Sequence, residues 1–450
     1  MNNPPPLSRF AYTDANLRQL ADDALNYARK LGATAIEVGV SEGFGQSVNV
    51  RLGEVDNIEY NRDKGIGLSI YLGQKKGYAS TSDFSTAALR QTVEAALAIA
   101  RHTAEDAAAG PPEVELLATE FPQLDLHHPW QLSVEEAIAL AKRSEQAAFA
   151  HSPKITNSEG ASVSLQESQF ISANSLGFMG GFPSSQHYVH CCVIAEEGEQ
   201  MQRDDWYSAG RLADLLESPE AIGEKAAQRS LARLHGRKLK TGNYPVLFEA
   251  PQAAGLIGSL VHAASGGMLF RKASFLVDSL GTQLFPDFIQ LRECPHLPRA
   301  IASAPFDNEG VATQTREVVA DGILQGYFLS AYSARKLGMR STGNAGGNHN
   351  LILQSGSLDL PGLLRQMDKG LFVTELLGQG INYINGDYSR GAAGFWIENG
   401  AIAYPVEEIT IAGNLRDMFA NIVAVGTDVD RRGSKQCGSI LLNNMMVAGS

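Results

Sequence analysis

Cysteine is scarce in this sequence, with four residues among 450, two of them adjacent at Cys191 and Cys192. So few thiols cannot supply the disulfide framework of a small secreted domain. Long apolar runs are also missing, because polar residues and glycines interrupt the two longest uncharged stretches, 168–195 and 250–270, and this predicts no membrane span. The opening residues, MNNPPPLSRF, lack the apolar segment of a signal peptide. We therefore expect a cytoplasmic protein.

Basic residues are outnumbered by acidic ones, 37 to 49, which gives a formal net charge of −12. A nucleic-acid binder usually carries a strongly basic surface. The one basic cluster, Arg229 to Lys240, is typical of a solvated helix end and linker. Nucleic acid is therefore an unexpected partner. The 44% hydrophobic content and 45 glycines are typical of a globular chain with many turns, and the length predicts two or three domains.

The first half of the sequence has the order helix, strands, helix twice. Helices are predicted at residues 14–31, 86–101, 133–150 and from Pro219 onward, with short strands between glycine and Asp/Asn turns. We expect a flexible tail (1–12), a first repeat (13–104), a linker (105–132), a second repeat (133–236) and a further domain (237–450). The tripeptide Ser-Glu-Gly at 41–43 returns at 158–160 and supports an internal duplication.

Residues 237–450 are rich in predicted strands. Two hairpins are expected, at 317–329 with a turn at Asp321-Gly322 and at 395–404 with a turn at Asn399-Gly400. Short helices are predicted at 330–337, 361–367 and 415–421. The fold class is therefore α+β: a duplicated helix-strands-helix domain with an antiparallel or mixed sheet, followed by a β-rich domain resembling a barrel or sandwich.

Residues 255–272, GLIGSLVHAASGGMLFRK, have the apolar spacing of a buried helix that stops at Gly266-Gly267. Part of this stretch has the frame of the HExxH motif of zinc proteases, in which two histidines bind the metal and a glutamate activates water. Glycine (Gly258) stands at the first ligand and serine (Ser259) at the base. One imidazole, His262, cannot hold a catalytic zinc, and a hydrogen-bonded core or interface histidine is the simpler interpretation.

His187, His190, Cys191 and Cys192 all carry side chains that bind zinc or copper. In a strand, however, His187 and Cys191 point to one face and the other two to the opposite face, so one strand cannot gather them around an ion. Cys437 is interpreted as a buried free thiol.

Three further segments contain residues that occur in functional sites. Residues 307–310 hold too few oxygens for a calcium loop. The small residues of 341–350, STGNAGGNHN, indicate a loop that lines a cleft. Ser389 lacks the strand-turn-helix setting of a serine nucleophile.

Over essentially its whole length the sequence closely resembles the PmbA (TldE) branch of the TldD/PmbA protein family. Such long matches are specific. They are FRKASFLVDSLG (270–281), PFDNEGV (305–311), SAYSARKLG (330–338), GDYSRGAAGFWIENG (386–400) and EITIAGNL (408–415).

The resemblance implies a two-subunit cytoplasmic metalloprotease in which a TldD-like partner binds zinc through an HExxxH helix and a cysteine, while the PmbA/TldE subunit holds no metal. With Arg271-Lys272 as anchor, the two histidines and the glutamate of the partner correspond to Gly258, Ala263 and Ser259, and its cysteine falls near Cys437. No catalytic or metal residue is therefore carried over to this chain. Zinc is expected in the TldD-like partner only. The family's fold implies a boundary near 237–244.

Three functions remain open. The leading one is a non-catalytic protease subunit that helps to hold unfolded peptide in extended form, as in removal of a microcin leader or degradation of an antitoxin. Candidate peptide-binding residues are His262, Asn348, His349, Tyr388 and Arg390. A second is a self-associating peptide-binding or regulatory protein, the gyrase-modulator idea, which allows a homodimer when the chain is alone. A third is a metallopeptidase that uses Cys437, His262 and unrecognised ligands.

Overall fold

The computed structural model describes residues 9–449 of the chain. Up to residue 241 the order is helix, strands, helix, twice over. In chain order the elements are α1 (Asp14–Lys30), β1 (Ala35–Arg51), β2 (Glu54–Leu72), β3 (Lys75–Thr81), α2 (Thr86–His102), α3 (Val134–His151), β4 (Ile155–Asn174), β5 (Met179–Gly180), β6 (Pro183–Glu197), β7 (Gln200–Gly210) and α4 (Pro219–Ala232).

All strands of this half belong to one antiparallel sheet with the order β3-β2-β1-β4-β6-β7, and β5 pairs with β4. The first strand of each repeat, β1 or β4, lies at the centre, so the two halves of the sheet mirror one another. Helices α1 and α2 cover the first repeat, and α3 and α4 cover the second. The predicted fold class, with its duplicated helix-strands-helix domain, is confirmed.

Helix starts in this half follow their capping residues. Thr13 and Ser133 each form a capping box, in which the Ser or Thr oxygen accepts from the third helical N–H and the third side chain accepts in return. Ser218 caps α4, whose first residue is Pro219. These starts agree with the sequence prediction.

The strands are longer than the sequence predicted. Short strands separated by glycine turns were expected, but β1 runs unbroken through Ser41, Glu42 and Gly43, which pair with β2 on one side and β4 on the other. The prediction took Gly43 as a turn signal, but this glycine is in extended conformation inside the sheet. The second Ser-Glu-Gly is a bulge, because Gly160 has φ of +122° and the register with β6 shifts there.

After residue 241 the chain is rich in strands. Its elements are β8 (Gly242–Phe248), α5 (Ala250–Ala263), α6 (Gly266–Phe270), β9 (Leu291–Glu293), β10 (Arg316–Ala320), β11 (Ile323–Leu324), α7 (Ala331–Leu337), β12 (Leu351–Leu353), α8 (Leu360–Met367), β13 (Gly370–Leu377), β14 (Ile381–Asn382), β15 (Asp387–Glu398), β16 (Ala401–Asn414), α9 (Leu415–Ala420), β17 (Ile422–Val425), β18 (Lys435–Gln436) and β19 (Ile440–Ala448).

These strands form two sheets around the largest core of the molecule. One is an open five-stranded sheet with the order β11-β10-β9-β12-β18. The other runs β13-β8-β19-β16-β15-β14 with β17 beside β19, and its five strands β13, β8, β19, β16 and β15 close into a barrel because β13 also pairs with β15. Both predicted hairpins are confirmed, at β10–β11 and β15–β16. The helix predicted to stop at Gly266-Gly267 ends at Ala263 instead: α5 begins five residues before Gly255, and Gly266 begins α6.

Charged side chains join the two halves. Arg229 of α4 contacts Asp204 at 2.9 Å and, across the boundary, Glu249 at 2.7 Å. Arg211 donates to the carbonyls of Ala300 and Ile301. Within residues 9–449 no helix has the length and apolar content needed to cross a membrane.

The predicted flexible tail, 1–12, is described only from residue 9. In that part Arg9 contacts Glu167, and the amides of Ala11 and Tyr12 donate to Glu42. Residues 1–8 lie outside the described range.

Candidate functional site at the end of helix α5

Helix α5 contains the positions that correspond to the zinc ligands and the catalytic base of the zinc-protease motif. Ser259 is buried and its hydroxyl donates to the carbonyl of Gly255 at 3.2 Å, while Ala263 is fully buried. Neither side chain can bind or activate a water on a metal. Among residues 9–449, no three His, Cys, Asp or Glu side chains lie close enough together to hold a metal ion.

Lys435 of β18 lies over the glycine that stands at the first ligand position. A Cβ atom added to Gly258 would lie 3.8 Å from Cε of Lys435, in ordinary van der Waals contact with the lysine stem. Burial lowers the pKa of Lys435. Its ammonium forms no ion pair within the described part of the chain. A half-buried amine without an ionic partner therefore lies beside this helix position.

Cys437 is two residues beyond Lys435, on the same side of the chain. Its thiol is 1% exposed and contacts the carbonyl of Ala250 at 3.9 Å. Burial raises the pKa of Cys437 to about 12, so the sulfur is a neutral thiol near neutral pH. Ala250 and Gly258 are about 12 Å apart along the helix axis at 1.5 Å per residue, so the thiol lies at the start of α5 rather than beside Gly258.

His262 is exposed, and its ring packs against that of Tyr383 with 4.2 Å between centroids and 44° between the ring planes. Tyr383 lies in the turn between β14 and β15, and its carbonyl accepts from the amide of Phe275 at 2.8 Å. This aromatic pair offers apolar ring surface beside the helix end.

A cleft of about 380 Å³ lies one turn beyond His262, at the junction of α5 and α6. Its walls come from the helix ends, from the segment that leads into α7, and from the glycine-rich loop at 344–347. Phe328 pairs with Ser265 like a parallel strand. The lining includes Val261, Ser265, Phe270, Phe328, Tyr332 and Gly346. The structure thus brings together the helix and the loop that the sequence marked separately.

The buried carboxylate of Glu293 binds groups of the glycine-rich loop. This carboxylate is 1% exposed, contacts Arg316 at 2.7 Å, and accepts from the side-chain amide of Asn344 at 2.8 Å and the backbone amide of His349 at 2.7 Å. The imidazole of His349 contacts the carbonyl of Gly343 at 2.9 Å. Several groups of the loop thus bind one buried charge, which restrains the loop.

Asp307 holds the other side of the loop. Its carboxylate accepts backbone amides from Glu309, Val311 and Ala345 at 2.9–3.0 Å. These bonds occupy both oxygens. The role of Asp307 is therefore to fix the backbone of its own turn and of the glycine-rich loop. Burial nevertheless raises the pKa of Asp307.

The five candidate peptide-binding residues are only partly assembled. Asn348 and His349 adjoin the cleft through the loop, and His262 lies one helical turn away. Tyr388 and Arg390 lie on β15. Tyr388 is 4% exposed within the core, and burial raises its pKa to about 12. Sequence reasoning missed Lys435, Tyr383 and Glu293, since nothing in their local patterns shows what they contact.

Substituting Gly266 by alanine is expected to cost about 1–3 kcal/mol of stability, because a new Cβ would lie 2.2 Å from the hydroxyl oxygen of the buried Ser333. The matched control is Gly255→Ala in the same pair of helices, where the new methyl meets nothing within 4 Å and should stabilise by about 0.5–1 kcal/mol. Urea unfolding measures both. A Gly266→Ala protein as stable as the wild type would contradict the close packing at this junction.

Glu309 should make stability depend on pH. Burial raises its pKa to about 7, while the Ala331 amide and Lys76 oppose the shift and Asp307 and Glu37 add to it. Between about pH 4.3, the ordinary value, and pH 7 the folded protein holds a proton that the unfolded chain has released. Stability due to this group therefore falls as pH rises through that window.

Glu309→Gln removes the cost of the buried charge and can still accept from the Ala331 amide. At pH 8 we expect the variant to be about 1–3 kcal/mol more stable than the wild type, and equally stable near pH 4. Urea titrations at the two pH values measure this. A difference that is the same at both would show that the charge of Glu309 is not responsible.

Three models of metallopeptidase domains match consecutive segments of this chain. Residues 36–100 match the family model described as PmbA/TldA metallopeptidase domain 1, 127–234 match the central domain, and 241–449 match the C-terminal domain. Metalloprotease PmbA of Escherichia coli O157:H7 is 49% identical over 96% of this chain and 97% of its own length. The chain belongs to the PmbA/TldE family.

Other similar proteins agree with this assignment. The Metalloprotease PmbA homolog of Haemophilus influenzae is 46% identical over 97% of each chain. A crystal structure from Bacteroides thetaiotaomicron, described as a candidate modulator of DNA gyrase, has a TM-score of 0.92 and 28% identity and covers 97% of this chain and 100% of its own. TldE from Thermococcus kodakarensis, at 19% identity, has a TM-score of 0.82 over 96% of this chain and 100% of its own, and shows the shared fold alone.

Proposed function

We propose that this chain is the metal-free subunit of a cytoplasmic, heteromeric metalloprotease whose TldD-like partner supplies the zinc. Its substrates would be unfolded peptides, as in removal of a microcin leader or degradation of an antitoxin. The single observation that carries the proposal is helix α5, where Gly258, Ser259 and Ala263 stand at the ligand and base positions and Lys435 lies over the first of them. Relatives with the same length and high identity are named as metalloproteases.

The role of this chain would be to bind and orient the peptide. An extended peptide needs backbone groups and apolar surface more than catalytic side chains. The cleft beside the glycine-rich loop and the exposed His262–Tyr383 pair supply such a surface. The zinc-bound water in the partner would carry out hydrolysis.

The test compares cleavage of an unfolded peptide by three samples: this chain, a TldD-like subunit, and the mixture. Activity that requires the mixture supports the proposal, and a chelator should abolish it. Turnover by this chain alone would overturn it, and the metallopeptidase hypothesis based on His262 and Cys437 would replace it. A partner that is equally active without this chain would also refute the proposal.

A regulatory protein that self-associates and acts without a protease partner is the second candidate. The observation that favours it is the similarity to two crystal structures described as candidate modulators of DNA gyrase, at 28% and 27% identity. Binding of peptide by this chain with no effect on any TldD-like protease would support this candidate over the first.

His262→Ala is expected to raise KM of the assembled pair for peptide by about 3- to 10-fold, with little change in kcat. The reason is the loss of one ring on which the peptide would pack, since an aromatic contact is worth about 0.5–1.5 kcal/mol. His235→Ala is the control, because His235 is also exposed but contacts Glu197 in the N-terminal half. If both variants had the same KM and kcat for the peptide, His262 would not be part of the binding surface.

A further inference from the structure

A second cleft, of about 990 Å³, lies on the outer face of the open five-stranded sheet. Strand β9 shows how the sequence builds it. Leu291 and Glu293 are each 1% exposed and face the core. Their neighbours Gln290, Arg292 and Cys294 therefore point to the opposite face and line the cleft. Because Glu293 binds the glycine-rich loop on the inner side, this cleft is separated from the candidate site by the sheet itself.

Two loops form the walls of the outer cleft, and contacts within the protein hold both of them. In the first loop, the backbone amide of Arg299 donates to the carbonyl of Leu124 at 2.9 Å, and its guanidinium contacts Asp125 at 2.5 Å. In the second, Arg432 contacts Asp430 at 3.0 Å and lies over Trp206, 4.2 Å from the ring centroid. The cleft is therefore preformed, as is usual for small-molecule sites.

The lining of the outer cleft is basic, although the chain has a net charge of −12. Three arginines line it against one carboxylate, that of Glu317. Glu317 is paired with Arg292 at 2.5 Å, and Arg299 is paired with Asp125. The charge left uncompensated is that of Arg431. A ligand in this cleft therefore meets positive charge between low-dielectric walls, which favours an anion.

Three side chains of the lining have donors to spare. Within residues 9–449 the guanidinium of Arg431 makes no ion pair, hydrogen bond or ring contact, whereas its neighbour Arg432 is bound to Asp430. In the same part of the chain the side-chain amides of Gln354 and Gln436 have no hydrogen-bond partner, and both line the cleft. A guanidinium can donate two parallel bonds to a carboxylate, and a primary amide can both donate and accept.

Apolar side chains complete the lining. Leu297 and Pro298 come from the first loop, Ile352 from β12 and Val429 from the second loop. Ile352 is opposite Gln436 in the parallel pairing of β12 with β18, so apolar and amide groups lie side by side on the floor. The cleft can thus bury an apolar group of a ligand beside the groups that bind its polar atoms.

We propose that the outer cleft binds an N-acylated amino acid with a free carboxylate and an apolar side chain, which is also the chemistry of the carboxyl end of a peptide. The guanidinium of Arg431 pairs with the carboxylate. Gln354 and Gln436 bind the amide group of the ligand, and its side chain packs on Ile352 and Val429. This binding requires neither a metal nor a protease partner, so it is independent of the proposed function.

The first experiment measures binding of N-acetyl-leucine to the full chain by saturation-transfer NMR. N-acetyl-leucinamide, which lacks the charge, is the matched ligand. We expect a Kd of about 1 mM for the acid, as is ordinary for so small a ligand, and at least about 10-fold weaker binding of the amide, because the amide loses a charge-assisted pair. No binding of the acid at about 10 mM, or equal binding of acid and amide, would overturn the proposal.

Arg431→Gln should weaken binding of the acid at least about 10-fold, since it removes the charge that selects the carboxylate. The control is Arg340→Gln, because Arg340 is another exposed arginine of the C-terminal half, 69% exposed and in contact with Glu115. Its loss should leave the Kd unchanged. An Arg431→Gln protein with the affinity of the wild type would overturn the proposal.

Glu317→Gln should have the opposite effect. The substitution removes the carboxylate of the lining and frees Arg292 from its ion pair, so the acid should bind several-fold more tightly. Weaker binding in this variant would show that positive charge does not select the ligand, and the proposal would fail.

Cys294 reports independently where the ligand binds. Its thiol lines the cleft, and among the four cysteines, all within residues 9–449, it is the one that is not buried. Alkylation of Cys294 by iodoacetamide, followed by mass spectrometry, should slow several-fold with saturating N-acetyl-leucine and stay unchanged with the amide. An alkylation rate that the acid does not change would place any binding outside this cleft and overturn the proposal.

A peptide that ends in leucine distinguishes the two sources of this chemistry. If the peptide with a free carboxyl end binds more tightly than N-acetyl-leucine, the ligand is the carboxyl end of a peptide. If only N-acetyl-leucine binds, the ligand is a free N-acylated amino acid. Both results support the proposed chemistry. Equal binding of the peptide and its carboxamide form would overturn it.

Discussion

Replacing Glu293 by alanine is expected to destabilise the protein by about 3–5 kcal/mol, because the change leaves Arg316 without its partner in a nearly closed site. The side-chain amide of Asn344 and the backbone amide of His349 lose their acceptor at the same time. The glycine-rich loop should therefore loosen as well as the sheet. Urea unfolding measures the first effect, and hydrogen exchange at residues 341–350 measures the second.

Glu317 is the matched control, since it lies on the adjacent strand and also contacts an arginine. Its partner Arg292 is at 2.5 Å, but the two side chains are 36% and 58% exposed. Solvent screens such a pair, and Glu317→Ala should cost at most about 1 kcal/mol. Equal losses in the two variants would mean that burial of Glu293 contributes nothing beyond an ordinary surface pair.

Arg229→Leu should also cost about 3–5 kcal/mol, and it should change how the protein unfolds. The variant leaves the carboxylates of Asp204 and Glu249 buried without their shared guanidinium. Glu249 is the residue before α5, so this ion pair connects the N-terminal half to the helix of the candidate site. We expect the wild type to unfold in urea in one transition and the variant to unfold in two, one for each half.

The control for this variant is Arg143→Leu in the same half. Arg143 contacts Glu220 at 2.6 Å, with side chains 52% and 42% exposed, and its loss should cost at most about 1 kcal/mol. If Arg229→Leu unfolded in one step with a comparable loss, the ion pair would not be what couples the two halves.

Local signals predicted the helices and the turns well. Capping residues at Thr13, Ser133 and Ser218 fixed where helices start, because a cap satisfies the free amides of the first turn whatever the rest of the chain does. The Asp-Gly and Asn-Gly turns were equally local. The length of β1 could not be foreseen, since the tolerance of a central strand for Gly43 depends on the two strands that flank it.

In the candidate site, too, local features were predictable from the sequence and contacts between distant residues were not. The helix frame at Gly258 is visible in the sequence, and so is the glycine-rich loop. Lys435 reaches α5 from 177 residues further along the chain, and no periodic pattern connects them. Tyr388 was predicted from a motif to line the site, but its side chain is buried in the core. A residue within a long family match can therefore have a packing role.

The position of β8 has a consequence for synthesis on the ribosome. This strand lies between β13 and β19 in its sheet, and Phe248 pairs with Ile440. While β8 emerges, one of its neighbours is still about 190 residues from being made, at a rate of about 5–20 residues per second. For roughly 10–40 seconds the apolar residues Val246, Leu247 and Phe248 cannot be buried in a complete sheet. We expect the nascent C-terminal half to need shielding by a chaperone, whereas the N-terminal sheet can close as soon as α4 has emerged.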